Sequence, residues 1–316
     1  MKNKVKIFVS VLLIILSYGF IVYKILTFKE LEELSFSFSY IKSINIIILI
    51  CVVLFMPVNW GVESIKWKTL IDKIQILSFS KSLKIVFSGI TVGIFTPNRV
   101  GDIGGRVLFL DKGNRTYGIL ATSIGSFAQF LTTIILGIIG FILFLFLFPE
   151  KTIINPIFNT ATVIGLLLML IFLIWFYINN KKIKPLLMKI SFFKSRVTQI
   201  DYFSEMKVKA LLKVLFLSII RYIIFISQFY LLLIFFNINI NILQAYIAIS
   251  LVYLFTTLVP TTTLVELGIR GSFAIFFIGI FSENALGIVL STTLLWIINI
   301  AIPAIIGSFF LVKNNL

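Results

Sequence analysis

Pro97-Asn98-Arg99-Val100-Gly101-Asp102-Ile103-Gly104-Gly105-Arg106 interrupts one apolar stretch of the chain, and Pro260-Thr261-Thr262-Thr263-Leu264-Val265-Glu266-Leu267-Gly268-Ile269-Arg270 interrupts another. Both breaks carry the pattern acid-x-Gly-x-Arg shortly after a proline. Proline removes a backbone donor and turns the preceding residue away from helix. The helix that restarts after it offers free N–H groups and the positive end of its dipole. An acid four residues before a base meets it on one helix face, so Asp102 with Arg106 and Glu266 with Arg270 each predict an ion pair. Pro97, Gly101, Gly104, Pro260 and Gly268 are the hinge positions of these breaks.

What surrounds the breaks decides the solvent. Of 316 residues, 59% are hydrophobic and 13% charged, against about 25% charged in soluble domains. Mean hydropathy is +1.11. Such a chain cannot cover a globule with polar surface, and it lacks the alternating strands of an outer-membrane barrel. It reads as an all-α polytopic membrane protein and a single integral membrane domain over 1–316. Apolar stretches fall at 5–25, 44–60, 83–110, 117–148, 157–178, 210–236, 242–281 and 286–312. They predict about six full spans plus the two broken hairpins. The span at 5–25 is too long for a signal peptide and is expected to be retained.

The chain holds 28 basic and 12 acidic residues. That excess reflects the positive-inside rule and anionic lipid headgroups, so no nucleic-acid partner is expected. With no histidine and the single Cys51, disulfides, Cys/His zinc sites and His bases are excluded. No cofactor and no metal site is expected.

Charge also orients the chain. The N-terminus, 63–84, 111–116, a basic linker at 179–213 and the C-terminus hold 20 basic residues, and the opposite loops hold three. Both termini are therefore expected to be cytoplasmic. The first broken segment must then leave and return to one side, which predicts a re-entrant hairpin. The second, over 242–281, is long enough for either a hairpin or two crossings. Ile138-Ile139-Gly140 and Ile305-Ile306-Gly307 follow the two breaks at similar distances. The chain thus divides into repeats of about 1–150 and 151–316 in opposite orientation, an inverted-topology repeat with a half-spanning hairpin in each half. The linker mixes lysines with Leu, Met and Phe, as expected for a helix lying on the bilayer surface or for a partner-binding segment.

Ionisable residues at membrane depth are costly, about 2.5 kcal/mol each on the gentlest scale. Arg99, Asp102, Arg106, Arg221, Glu266 and Arg270 are accordingly the candidate substrate-binding residues. Mutual neutralisation of the acid–Arg pairs, or Arg99 and Arg221 reaching the headgroups, are the structural alternatives. A buried Arg221 needs a partner, and Asp102 or Glu266 are the candidates. Gln129, Gln228 and Asn299 are supporting polar residues suited to interhelical hydrogen bonds. Trp60 and Trp67 read as interfacial anchors.

Thr96-Pro97-Asn98-Arg99-Val100-Gly101-Asp102 with Arg106, Ser218-Ile219-Ile220-Arg221-Tyr222 with Gln228-Phe229, and Val259-Pro260 with Glu266-Leu267-Gly268-Ile269-Arg270 resemble the flippase-like membrane domain of lysylphosphatidylglycerol synthases. The resemblance spans essentially the whole chain. It departs in having Asp102 where the family usually has Glu, and Thr261-Thr262-Thr263 where glycines are common. It implies a multi-pass protein of a bacterial or archaeal cell membrane that flips a lipid. The soluble aminoacyl-transferase domain is not expected here, and with it no enzymatic activity.

The expected function is translocation of a phosphate-bearing lipid, whether anionic, aminoacylated or polyprenyl, between leaflets. The expected partners are membrane lipids with phosphate headgroups, with a homo-oligomer or a lipid-synthesis enzyme as further possibilities. The alternatives are an intramembrane lipid-headgroup transferase and a non-transporting scaffold for lipid-modifying enzymes.

Overall fold

The computed structural model describes residues 43–96, 99–151, 156–259 and 263–313. The span expected at 5–25 and the prolines Pro97 and Pro260 lie outside them. All regular structure among the described residues is helical. The principal helices are α1 (Ser43–Ile71), α2 (Phe79–Gly93), α3 (Gly101–Val107), α4 (Arg115–Leu147) and α5 (Pro156–Ile178). Short helices α6 (Ile183–Leu187), α7 (Ser191–Lys194) and α8 (Val197–Ser204) make up the linker. Then come α9 (Val208–Phe235), α10 (Ile242–Leu258), α11 (Thr263–Ile278), α12 (Ala285–Trp296) and α13 (Ile302–Lys313).

Among the described residues, five stretches are long and apolar enough to cross a bilayer: Asn45–Ile71, Lys112–Leu147, Thr160–Ile178, Val208–Phe235 and Ala285–Lys313. The chain is a multi-pass membrane protein. The arms α10 and α11, of 17 and 16 residues, fall short of the roughly 20 that a crossing needs.

Helix α1 corrects the expected end of the second span. It runs eleven residues past Trp60, to Ile71, so Glu63 and Lys66 stand inside a membrane helix rather than in a loop. Lys66 is 1% exposed and leaves the loop-charge tally, which stays lopsided without it. Trp60 and Trp67 are buried as well, not interfacial. Pro303 explains one of them. Lacking an N–H, it cannot bond the Asn299 carbonyl four residues back, and the chain takes a π-turn over Ile297–Ala301. The Trp60 indole donates to that carbonyl at 3.1 Å. The Trp67 indole donates to Thr122 Oγ1 at 3.0 Å.

The first broken segment folds back on itself. A methyl group at Gly105 would stand 2.7 Å from the Gly89 Cα, so glycine at both positions lets the α2 and α3 backbones meet. The two ends of the segment lie together, since Gln75 Oε1 accepts from the Asp111 N–H and from Asn114 Nδ2, both at 3.3 Å. At the second segment, Asn284 Nδ2 donates to the Phe236 carbonyl at 3.4 Å and Lys151 Nζ to the Ile280 carbonyl at 2.8 Å. Loops of like charge character thus touch one another, the basic set at one end and the poor set at the other.

The packing of the long helices on the broken segments is reciprocal. On α4, Gly137 and Gly140 meet Leu254 and Ser250 of α10. On α13, Gly307 meets Phe87 of α2, and the Ala304 carbonyl accepts from Thr91 Oγ1 at 2.7 Å. Each long helix therefore lies on the first arm of the other half's break, with its contact residues three apart in both cases. Between the halves α1 packs along α9.

The linker does not lie free on the bilayer. Ile200 and Phe203 are buried against the helix ends, the Tyr202 ring meets Tyr117 edge-on at 5.7 Å, and Arg196 Nε donates to Thr116 Oγ1 at 3.2 Å.

Candidate functional site

Asn59, Glu63 and Lys66 share one face of α1 by their spacing of four and three residues. That face looks onto α3, α4 and α9. Glu63 is 5% exposed. Its Oε1 accepts from Arg106 Nη1 at 2.9 Å, and its Oε2 accepts from Arg221 Nη1 at 2.6 Å and pairs with Lys66 Nζ at 2.7 Å. Three helices are thereby tied to one carboxylate.

The expected pair within the first break is present and bidentate. Arg106 Nε and Nη2 donate to the two Asp102 oxygens at 2.8 and 2.7 Å. The Asp102 carboxylate occupies the space a Gly89 side chain would fill. Gly101 is required for a different reason. A methyl group there would stand 2.5 Å from the Val92 carbonyl oxygen, and its N–H donates to Thr96 Oγ1 at 2.7 Å. Gly104 and Gly268 face open space, so packing places no such demand on them.

Arg221 is buried near the middle of α9, but neither Asp102 nor Glu266 is its partner. Besides Glu63 it reaches Asn59 Oδ1 at 2.8 Å and Gln129 Oε1 at 3.3 Å. Its guanidinium lies 4.8 Å from the centre of the Trp60 ring, a favourable cation–π distance. The three supporting residues do bridge helices. Gln129 Nε2 donates to the Ser218 carbonyl at 3.4 Å, Gln228 Nε2 to the Val52 carbonyl at 2.8 Å, and Asn299 Oδ1 accepts from Asn59 Nδ2 at 3.4 Å.

The second break is differently furnished. Arg270 pairs with Glu266 as its spacing predicts, and its guanidinium lies 5.7 Å from the Tyr253 ring centre. Arg99 Nε stands 3.9 Å from Glu266 Oε2, so a base of the first break meets the acid of the second. Arg99 also has φ of 56°, a left-handed backbone that costs a side-chain-bearing residue about 1–2 kcal/mol. Arg270 is 8% exposed, yet its Nε, like Arg99 Nη2 and the Tyr253 hydroxyl, is buried without a hydrogen-bond partner among the described residues.

Among the described residues, charge does not balance in either cluster. Lys66, Arg106 and Arg221 face Glu63 and Asp102, and Arg99 and Arg270 face Glu266. Each cluster keeps one positive charge over. Buried guanidinium N–H groups without acceptors, beside surplus positive charge, can take an oxyanion such as phosphate through charge-assisted hydrogen bonds.

The family model described as lysylphosphatidylglycerol synthase TM region matches residues 5–307. None of the curated proteins and none of the solved structures compared with the chain matches it.

Proposed function

The chain belongs to the lysylphosphatidylglycerol synthase TM-region family, and from that premise we propose that it translocates a phosphate-bearing lipid, anionic, aminoacylated or polyprenyl, between the leaflets of the cell membrane. The protein is a transporter and not an enzyme. The observation that carries this reading is the buried Arg270, with N–H groups on it and on Arg99 that have no partner among the described residues. A buried donor without an acceptor costs about 1–3 kcal/mol, and a headgroup phosphate would recover that cost.

The two halves are read as inverted repeats with half-spanning hairpins, supported by the reciprocal seating of α4 on α10 and of α13 on α2. On the loop charges, the basic connections within 63–84, 111–116 and 179–213 and both termini are read as cytoplasmic. Broken backbone at membrane depth is tolerated where it lines a cavity, and such breaks mark the substrate site in inverted-repeat transporters. Arg99 and Arg270 hold the phosphate there, Glu266 limits the charge when the site is empty, and the acyl chains stay in the bilayer. Arg106 and Arg221 have their donors largely engaged by Asp102, Glu63, Asn59 and Gln129, so they hold the hairpin against α1 and α9.

Reconstitution into liposomes tests the reading. Inversion of a lipid headgroup without covalent change supports it, and turnover of the headgroup to a new compound would replace it with a transferase.

A further inference from the structure

A cavity lies where the linker helices cap α4, α5 and α9, with none of the candidate-site arginines in its lining. It measures about 320 Å³ and is walled by Leu120, Phe127, Phe176, Phe193, Phe203 and Leu211, among others, at the lower end of ligand-pocket sizes. A cavity with such walls does not hold water well. Its α5 wall continues onto an outward face that includes Phe172 and Trp175, 58% and 44% exposed, which the bilayer must cover. The Lys182 ammonium lies 4.2 Å from the centre of the Trp175 ring, an aromatic–basic pairing that belongs at headgroup depth. Lys184 lines the cavity and pairs with Asp201 at 2.5 Å, its side chain 42% exposed. Around this mouth the 179–213 segment carries nine Lys and Arg against Asp201 and Glu205.

We propose that this cavity is a resident-lipid site, taking one acyl chain of an anionic phospholipid whose phosphate rests on Lys184 and its basic neighbours. The apolar walls select a hydrocarbon chain, and the surplus positive charge selects the headgroup. The bound lipid fills the space between the linker and the membrane helices and fastens the linker to α4. It is held rather than transported, since neither Arg99 nor Arg270 lines the cavity.

The test is lipid retention by the purified full chain in detergent, read by native mass spectrometry with phosphatidylglycerol and phosphatidylcholine as probes. One phosphatidylglycerol per chain should survive detergent washing in preference to phosphatidylcholine. Lys184→Gln, at a solvent-exposed side chain, should weaken retention by about five-fold, the effect of one basic residue near the surface. Ser123→Phe, which fills the cavity from α4, should abolish it, with unchanged elution on gel filtration showing that the chain is folded. Glu266→Gln/Arg270→Met should retain the lipid, which separates this site from the translocation site. Retention unchanged in both Lys184→Gln and folded Ser123→Phe would overturn the proposal, as would equal retention of the two lipids, occupancy by detergent only, or loss of the lipid in the Glu266/Arg270 variant.

Discussion

Glu63 Oε2 accepts a hydrogen bond from Arg221 Nη1 at 2.6 Å, joining α1 in one half of the chain to α9 in the other. The same carboxylate holds Arg106 of α3 and Lys66 of its own helix. Glu63→Gln would leave these three cations with a single carboxylate, Asp102. Removing one partner from a buried ion pair costs about 3–5 kcal/mol, so Glu63→Gln should lower the thermal midpoint in detergent sharply. Glu63→Leu with Arg221→Met should recover part of the loss, because apolar groups replace buried pairs at little cost. A Glu63→Gln midpoint equal to that of the wild type would show that the hub does not hold the helices.

The glycines divide into those that packing requires and those it does not. A methyl group at Gly307 would stand 2.1 Å from the Phe87 carbonyl oxygen, which is backbone and cannot turn aside. Gly307→Ala should therefore cost about 1–3 kcal/mol, seen as a lower melting temperature and weaker resistance to protease. Gly268→Ala, facing open space within α11, should be neutral or stabilising by up to about 1 kcal/mol. Reversal of that order would contradict the seating of α13 on α2.

Arg99 carries its guanidinium on a left-handed backbone, and glycine adopts that conformation without strain. Arg99→Gly should keep or raise stability while lowering lipid translocation. Parallel loss of both would make Arg99 a structural residue of the break, as measured by melting and transport on the same preparation.

Cysteines placed at Lys112 and Glu283, with Cys51 replaced by serine, should label from opposite faces of intact cells or spheroplasts. Lys112→Cys should react only from the cytoplasm and Glu283→Cys only from outside. Labelling of both from one face would end the inverted-repeat reading.

The two acid–Arg pairs were legible because their partners lie four residues apart in one helix, where spacing alone decides contact. The breaks were legible from proline and glycine for the same reason. Glu63 and its surroundings were not. Charges after Trp60 look like the exit from a membrane, and the partners that compensate Glu63 include Arg106 and Arg221, 43 and 158 residues away in sequence. A signal was nonetheless present, since Asn59, Glu63 and Lys66 continue one helical face while Trp60 and Trp67 continue another. Sequence alone gives Arg221 the wrong partner because the charge pattern places Glu63 in a loop, whereas Glu63 accepts from Arg221 inside the membrane helix. The buried roles of the two tryptophans depend on a missing proline donor and on a threonine 55 residues away, which no local pattern reveals.

Leaflet translocation in proteoliposomes, comparing the wild type with Glu266→Gln/Arg270→Met and Arg270→Lys, shows whether Arg270 carries lipid flipping. Phosphate-bearing lipids of the anionic, aminoacylated and polyprenyl classes would each be supplied in one leaflet, and the headgroup followed in the other. The wild type should accelerate exchange of at least one class. The double variant, which removes the acid and the base together and strands neither, should fold and lose that activity. Arg270→Lys should be partly defective, because an ammonium cannot offer a phosphate the two parallel hydrogen bonds of a guanidinium. Full translocation by a folded double variant, or no acceleration of any class by the folded wild type, would contradict the account.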